Sequence, residues 1–553
     1  MFNGKKNSLI EKKAASASSN NAFIKAGMKN SAVTTTGNGA KAFTTQSNDF
    51  ATDFAQVGAY KAPRDYKTVS AIMSILWTIN PLMTFKLALY IRLITRKVQL
   101  WNGETTKEIQ KGTGLRHEGI MRLLWIAINK PNIFWNNIHL VLGAGSWKDI
   151  ITMLSYDLQY HGWEGRVLNW TEFGQLLLAG LENPNTVQLV KKYLPTIKTN
   201  AKCTTLESQA DNLIAKWICS LLFGNKQDGT TYKKYRKLKS SGTAHTWQQL
   251  ISQGKHKLVD FNTIHGRALS LLVSSKYLKN QGLEDKYKEW IAAKPVTKFT
   301  GYVYELASKI GYGITGYQKD TINKQYLTLL ENAGKINKNF IVVKDTSTSM
   351  DYPAYGTNMS SYHVAKSLSI YFANLIKGYF HNHYIDFSSN AILRQIKQDN
   401  FVDAWLGEIR QASANTNFLS VAQLFAQIKN SGVSEKEFPE GLVLVSDGEF
   451  DNTGMYQDNS IKAFKDILLA AGFSNEYCKN LTFIFWDIRN SFYHRRQGRP
   501  FHTYNSEKSN VFYFGGYDGS VISLLLGDKP MPKNQTDLFK SAMDQEILNL
   551  VEV

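Results

Sequence analysis

The chain has 553 residues, more than one hydrophobic core usually organises, so we expect two or three domains. A hydrophobic content of 43%, with 12% aromatic residues, excludes a largely disordered protein because it provides enough apolar surface to bury. Lysine and arginine exceed aspartate and glutamate by 65 to 45, a formal net charge of +20 that favours a polyanionic partner such as nucleic acid. The alternative is that the basic balance serves only solubility.

The cysteines and the N-terminus indicate the cellular compartment of the protein. Three cysteines are too few and too scattered for a disulfide framework or a zinc site, which favours a reducing compartment. The N-terminus has no signal-peptide pattern, and the most apolar stretch, 69–95, is broken by Pro81 and carries Lys86 and Arg92. We therefore expect a cytoplasmic protein without a membrane partner. Its Asn- and Lys-rich composition fits an AT-rich genome such as that of a bacteriophage, which leaves association with a virion open.

The first two regions of the chain differ in composition. Residues 1–62 are rich in small and polar residues without a periodic apolar face, which predicts a flexible arm that is dispensable for folding. From residue 63 to 336, apolar residues recur at helical spacing, as in Ile72, Ile75 and Ile79, and convincing strands are absent. The sequence therefore predicts an all-α domain of stacked helix pairs, with a helical-repeat architecture.

The stretch 226–257 is the most basic part of this helical domain. Lysine and arginine side chains can contact phosphates, and the interleaved Tyr232, Tyr235 and Trp247 could stack on bases. A solvated helix face is the alternative interpretation. The candidate nucleic-acid-binding residues are Lys233, Lys234, Arg236, Lys237 and Lys239.

The pattern changes at about residue 337. Short apolar runs at 339–344, 383–387, 441–445, 481–486 and 511–514 alternate with helical patterns, which predicts a doubly wound parallel sheet over 337–527. Residues 528–553 form a C-terminal helix or tail. The predicted fold class is therefore an all-α domain followed by an α/β domain, with ligands bound outside the carboxyl ends of the strands.

Hydroxyl and carboxylate oxygens follow three of these strands. Magnesium prefers six oxygen ligands and keeps water, so hydroxyls with one or two carboxylates suit this cation or another divalent ion. Such a site retains positive charge and could accept a carboxylate or phosphate from a partner. A helix N-cap cluster is the alternative. The candidate ligands are Asp345, Ser347 and Ser349 after the first strand, Thr416 in a later loop, and Asp447 after a further strand.

This order of loops resembles the metal-ion-dependent adhesion site of the von Willebrand factor A family. The resemblance covers about residues 337–527 and implies that the five candidate residues bind the cation. This chain has Thr348 where members of that family commonly have glycine.

Motifs in the helical domain carry a second resemblance. Arg116-His117-Glu118 with Leu123-Leu124-Trp125, followed by the stretch 137–151, resembles the TROVE module of Ro-type RNA-binding proteins. In that module a similar Gly-x-Trp-x-Asp-Leu-Leu motif turns one helix into the next. The stretch 258–268 is similar to DUF2828 proteins, and 514–519 resembles the last strand and loop of the Ro-type A domain. The resemblance implies a ring of helical repeats closed by the A domain, with RNA on basic surfaces.

Two further features complete the interpretation. Arg489, Arg495 and Arg496 follow a predicted strand at the edge that carries the metal site, and they are candidate phosphate contacts. No Ser-His-Asp order, Walker loop or pair of catalytic carboxylates emerges, so we expect no enzyme. The sequence favours a protein that binds single-stranded or partly structured RNA. The alternative is an interaction or structural module whose metal captures an acidic side chain of a protein partner. Such a module could be associated with a virion.

Overall fold

The computed structural model comprises a helical part up to residue 334 and an α/β part from residue 336. This architecture confirms the predicted combination of a helical domain and an α/β domain. Among the described residues, no helix is long and apolar enough to cross a membrane. The structure describes residues 33–35, 41–43, 49–58, 64–101, 103–199, 202–241, 247–311, 313–334, 336–451, 460–488, 501–502, 509–527 and 530–553.

The helical part consists mainly of short α-helices. They are α1 (Phe50–Val57), α2 (Tyr66–Ile79), α3 (Pro81–Arg92), α4 (Arg116–Asn129), α5 (Pro131–Asn136), α6 (Ile138–Ala144), α7 (Trp147–His161), α8 (Trp170–Glu182), α9 (Val187–Tyr193), α10 (Leu206–Phe223), α11 (Gly229–Ser240), α12 (Trp247–Ser252), α13 (Gly266–Ser274), α14 (Tyr277–Asn280), α15 (Glu284–Ala292), α16 (Val303–Ala307) and α17 (Gly316–Ala333).

The structure also contains short strands that the sequence did not indicate, because each has only two to four residues, too few to display a period of two. One antiparallel pair joins β3 to β4, and a small antiparallel sheet has the order β1-β2-β10. These strands are β1 (Val33–Thr35), β2 (Lys41–Phe43), β3 (Ile94–Arg96), β4 (Gln110–Thr113) and β10 (Phe501–His502).

The Gly-x-Trp-x-Asp stretch lies where one helix turns into the next, as the sequence predicted. Helix α6 ends at Ala144, and Ser146 caps α7 in a capping box with Asp149. The Asp149 carboxylate also accepts hydrogen bonds from Arg92 at 2.7 Å and from Arg116 at 3.0 Å. In this chain the motif therefore fixes the packing of three helices.

The α/β part is built on one six-stranded sheet with the order β11-β9-β8-β5-β6-β7. All neighbouring strands are parallel except β7, which pairs antiparallel with β6 at the edge. Every residue of the three central strands β5, β8 and β9 is buried, which explains their continuous apolar sequences. The strands are β5 (Phe340–Asp345), β6 (His383–Phe387), β7 (Ala391–Gln395), β8 (Gly441–Ser446), β9 (Thr482–Asp487) and β11 (Val511–Gly515).

Helices cover both faces of this sheet, and its two faces belong to different cores. Phe340 and Val342 of β5 pack into the same cluster as the apolar residues of the helical part, whereas Ile341 and Val343 face a separate cluster within the α/β part. The helical core therefore continues onto one face of the sheet. The remaining helices are α18 (Ser361–Leu375), α19 (Phe401–Gly407), α20 (Leu419–Asn430), α21 (Ser460–Ala470), α22 (Asn475–Asn480), α23 (Ser523–Leu526) and α24 (Gln535–Met543).

Helix α1 lies within the range that the sequence predicted to be a flexible arm, and it is buried. Phe54 contacts Tyr90 at a ring-centroid distance of 5.3 Å and Phe539 at 5.8 Å. At the end of the helix, a Cβ added to Gly58 would lie 1.9 Å from the carbonyl oxygen of Gly515, so the two backbones are in direct contact. The arm prediction is therefore corrected for residues 49–58, which dock beside strand β11.

The C-terminal residues also join the two parts. The side chain of Asn137 donates to the carbonyl oxygen of Glu552 at 2.6 Å, and the Lys86 ammonium donates to the side-chain oxygen of Asn549 at 2.8 Å. The helix predicted after residue 528 is present as α24. Residues 530–553 thus hold the helical part against the α/β part.

Candidate metal centre and basic surface

The strand order places a crevice at the carboxyl ends of β5 and β8. From β5 the chain moves outward to β6 and β7, then returns to β8 on the other side of β5 and continues to β9 and β11. This reversal is the topological switch point at which open parallel sheets bind ligands. Asp345 is the last residue of β5, and Asp447 follows β8 directly. Two of the predicted ligands therefore lie at the switch point.

Hydrogen bonds orient the first of these carboxylates. The backbone N–H of Ser347 donates to Asp345 Oδ1 at 2.9 Å, and the hydroxyl of Ser446 donates to Asp345 Oδ2 at 2.6 Å. The hydroxyl oxygens of Ser347 and Ser349 are 3.0 Å apart. Asp345, Ser347 and Asp447 have no exposed surface. The loop after β5 thus gathers a carboxylate and two hydroxyls on one side of the crevice.

The carboxylates of Asp345 and Asp447 repel each other. Burial, and then the negative charge of Asp447, raise the pKa of Asp345 well above its usual range. A cation between the carboxylates would reverse both effects by stabilising the ionised forms. The pair therefore has the electrostatics of a cation site.

Thr416 lies in a loop that is tied to both aspartate loops. The N–H of Thr348 donates to the Ser413 carbonyl at 2.9 Å, and the N–H of Thr416 donates to a carboxylate oxygen of Asp451 at 3.0 Å. Asp451 in turn donates its N–H to the Thr416 carbonyl at 3.1 Å. The three loops that carry the predicted ligands are consequently one hydrogen-bonded unit. Asp451 and Ser446 take part in it, although sequence spacing did not single them out.

Arg410 is a further residue that the sequence analysis missed. Its guanidinium donates to the carbonyls of Thr346 at 3.2 Å and Ser347 at 2.5 Å, pairs with Asp351, and lies 4.2 Å from the Tyr362 ring centroid. Arg410 therefore fixes the backbone of the β5 loop. No signal in the sequence identified it, because its partners are backbone carbonyls 63 and 64 residues away.

The available donors fit a hard divalent cation. Within the described ranges, no group of three or more His, Cys, Asp or Glu side chains gathers in a metal-binding arrangement. The switch point instead offers two carboxylates and the hydroxyls of two serines, which together with water are oxygen ligands that Mg²⁺ accepts, and Thr416 lies in the adjoining loop. Thr348 is not strained, since Asn382 and Asn510 are the only described non-glycine residues with positive φ. The glycine common in that position of the von Willebrand A family is thus not required by the backbone here.

The second set of predicted residues forms an exposed cationic face on α11. Asp228 caps this helix by accepting the N–H of Thr231 at 2.8 Å. The helix itself, Gly229–Ser240, contains no acidic residue. Lysine and arginine side chains project into solvent at Lys233, Lys234, Arg236 and Lys237.

Other residues predicted in this segment have structural roles. Tyr235 is fully buried, and its hydroxyl donates to the Pro195 carbonyl at 2.9 Å. Lys239 is half-buried and donates to the Thr196 hydroxyl at 2.6 Å; burial lowers its pKa. Tyr232 is half-buried as well, and Trp247 packs against a separate cluster. The tyrosines therefore anchor α11 and do not form the exposed stacking surface that the sequence suggested.

Neighbouring lysines extend the cationic face. Lys191 of α9 donates to the carbonyl of Ser241 at 3.1 Å, just beyond the end of α11. Lys198 is exposed, and its charge acts on Lys239 of α11. These two lysines were not identified from the sequence, because they belong to α9 and the loop that follows it. Arg489, Arg495 and Arg496 lie outside the described residues.

Comparisons with known proteins give one family match and a weak structural similarity. Residues 339–550 match the model of DUF7788, a domain of unknown function. No curated protein matches the chain. Among solved structures, the chain is similar to the Ro (RSR) protein of Deinococcus radiodurans, with 10% sequence identity over 77% of this chain and 87% of that one and a TM-score of 0.35. At that TM-score the similarity carries no argument about function.

Proposed function

We propose that this protein is a non-catalytic RNA-binding protein whose α/β domain, of von Willebrand A type, holds a divalent cation. The observation that carries the proposal is the cationic face of α11, where four exposed cations share one short helix with no carboxylate. Lys and Arg side chains contact phosphates, and each contact releases counterions from the nucleic acid. Lys191 and Lys198 enlarge the same surface. RNA, single-stranded or partly structured, is the polyanion that the Ro-like motifs of the helical part favour.

The cation has a separate role in this proposal. Asp345 and Asp447 would bind it together with the hydroxyls of Ser347, Ser349 and Thr416, and it would lock the three loops at the switch point. The site has few anionic ligands, so an acidic side chain of a protein partner is the second ligand class that it could accept.

Charge reversal on α11 should weaken RNA binding and flatten its salt dependence. The variant Lys233→Glu, Lys234→Glu, Arg236→Glu, Lys237→Glu removes four phosphate contacts, each of which contributes about 0.7 to the log–log salt slope for a single strand. Fluorescence anisotropy with labelled single-stranded RNA at several salt concentrations measures both quantities. We expect the slope to decrease in magnitude by up to about three units.

A matched control separates local contacts from net charge. The residues Lys276, Lys279, Lys298 and Lys397 are exposed and lie outside α11, so changing them to glutamate alters the net charge by the same amount. This control should keep most of the salt slope. Equal losses in the two variants would contradict a binding surface on α11.

A further inference from the structure

A cavity of about 330 Å³ lies between α8 and α10, beside the loop that precedes α8. Three indole rings form its wall: the Trp163 and Trp170 centroids are 5.5 Å apart, and the Trp170 and Trp217 centroids are 4.7 Å apart. Its lining includes Trp163, Arg166, Trp170, Gly174, Gln175 and Trp217. The cavity lies away from the cationic face, since Trp217 and Cys219 point to opposite sides of α10 and Cys219 contacts Thr231 of α11.

A guanidinium group is part of this wall. The Arg166 guanidinium carbon lies 3.9 Å from the centroid of Trp163 and 5.2 Å from that of Trp170. Gln175 adds an exposed amide at the rim. The cavity therefore combines aromatic faces with a positive charge and hydrogen-bonding groups. This combination indicates a ligand that has both an apolar surface and polar groups.

The wall is held in place by a buried carboxylate. Asp157 accepts a hydrogen bond from the Trp170 indole N–H at 2.9 Å, and it also accepts the backbone N–H groups of Val167 at 3.1 Å and Leu168 at 3.2 Å. Asp157 has no exposed surface. These bonds fix both the central indole and the loop that carries Arg166, so the cavity is preorganised.

Further aromatic residues continue from the cavity along the end of α7. Tyr160 is 46% exposed and stacks on Tyr66 with a centroid distance of 5.6 Å. Its ring also contacts His161, two residues before Trp163. Tyr66 and His161 are half-buried beside the exposed Tyr160. Successive rings with accessible faces are the stacking platforms on which proteins hold single-stranded nucleic acid.

From this geometry we propose that the cavity binds one unstacked base of single-stranded RNA, with Arg166 contacting the attached phosphate. The base would stack on the indoles, and the guanidinium provides both a planar surface and a phosphate partner. The inference deepens the proposed function, because it assigns to the α8–α10 cavity the base contacts that the buried tyrosines of α11 do not make. A nucleoside monophosphate is the smallest ligand that contains both recognised groups.

The test is saturation-transfer difference NMR on the full-length protein with AMP and, separately, ribose 5-phosphate. We expect transfer to the adenine protons of AMP and several-fold weaker transfer to ribose 5-phosphate. Trp163→Leu should reduce the transfer to adenine by about tenfold, because stacking one base on an aromatic ring contributes about that factor or more. Arg166→Gln should also reduce the transfer to adenine. If Trp163→Leu does not fold, the result for Arg166→Gln tests the inference in its place.

Trp290→Leu is the matched control. This indole is also half-buried and has a cation, Lys294, 5.6 Å from its centroid, but it lies outside the cavity. Its replacement should leave the transfer unchanged. Absence of transfer to adenine in the wild type, or equal transfer in wild type and the cavity variants, would overturn the inference.

The same measurements separate this inference from the proposed function. Transfer from AMP that depends on Trp163, in a protein with no salt-sensitive affinity for RNA, would support the nucleotide cavity and refute RNA binding. RNA binding that depends on α11 without any transfer from AMP would refute the cavity and leave the proposed function standing.

Discussion

Replacing Arg122 with alanine should lower the free energy of unfolding by about 3–5 kcal/mol, the typical cost of removing one partner from a buried ion pair. Arg122 has no exposed surface and donates to Asp53 at 2.6 and 2.9 Å and to Glu118 at 3.0 Å. Without it, Asp53 on α1 loses a bidentate partner, and Glu118 keeps Arg64. Urea denaturation followed by circular dichroism measures the change.

The loss should depend on pH in a defined direction. Burial alone would raise the pKa of Glu118, but Arg64 and Arg122 outweigh it and lower the pKa from 4.5 to about 2. The ionised carboxylate therefore stabilises the fold above pH 4.5, and this contribution is lost as the pH falls towards 2. The difference between wild type and variant should shrink over the same range.

An exposed ion pair provides the control for Arg122. Lys319 pairs with Asp403 at 3.1 Å, and both side chains are more than a third exposed. Lys319→Ala should cost at most about 1 kcal/mol. A loss that small for Arg122→Ala would show that α1 is not held by the buried network.

Replacing Asp345 with asparagine should abolish stabilisation by divalent cations. For the wild type we expect a rise in the free energy of unfolding of about 2.7 kcal/mol when the cation concentration is 100 times its dissociation constant. Asparagine has the same shape, but it lacks the charge that a cation requires. Thermal unfolding with increasing Mg²⁺ or Mn²⁺, and with EDTA, measures the effect.

The same variant should not be less stable than the wild type in EDTA. The Asp345→Asn substitution would remove the repulsion between two buried carboxylates, so we expect equal or higher stability without the cation. Asp399→Asn, which changes an exposed carboxylate in the same domain, is the control and should respond to the cation like the wild type. Stabilisation by Mg²⁺ that persists in Asp345→Asn would remove this aspartate from the site.

The α/β domain was predictable because its signals are local. A fully buried parallel strand is a continuous apolar run, and the loop after it begins at the strand's carboxyl end, so Asp345 and Asp447 could be placed from sequence alone. Strand β7 was missed because it is a half-exposed edge strand with a mixed sequence. Arg410 could not be found, since its role depends on carbonyls brought near by folding.

The N-terminal region shows a different limit. Phe50, Phe54 and Val57 have helical spacing, but they are few and stand beside a long stretch of small polar residues. What makes this short helix stable is tertiary contact with Tyr90 and Phe539 and the ion pair of Asp53, and none of these is visible in a local pattern.

Tyr235 illustrates why charge and aromatic content are weaker guides than strand patterns. Lysines interleaved with tyrosines indicated both phosphate contacts and base stacking, but helical periodicity turns Tyr235 into the core while Lys233, Lys234, Arg236 and Lys237 face solvent. The more accessible aromatic rings are instead Tyr160 near the end of α7 and the half-buried Trp163 in the loop that precedes α8. Tyr66 of α2 stacks on Tyr160, and Trp217 of α10 contacts Trp170, so both contacts depend on the packing of helices that are distant along the chain.

RNA binding through the cationic surface of the helical part is the central claim, and the salt dependence of RNA affinity in the presence of EDTA tests it most directly. The measurement is anisotropy of labelled single-stranded RNA with the wild-type protein over a series of monovalent salt concentrations. Four phosphate contacts predict a log–log slope of about −3, with affinity retained in EDTA. Absence of salt-sensitive affinity at low ionic strength, or binding that appears only when a divalent cation is added, would contradict the claim.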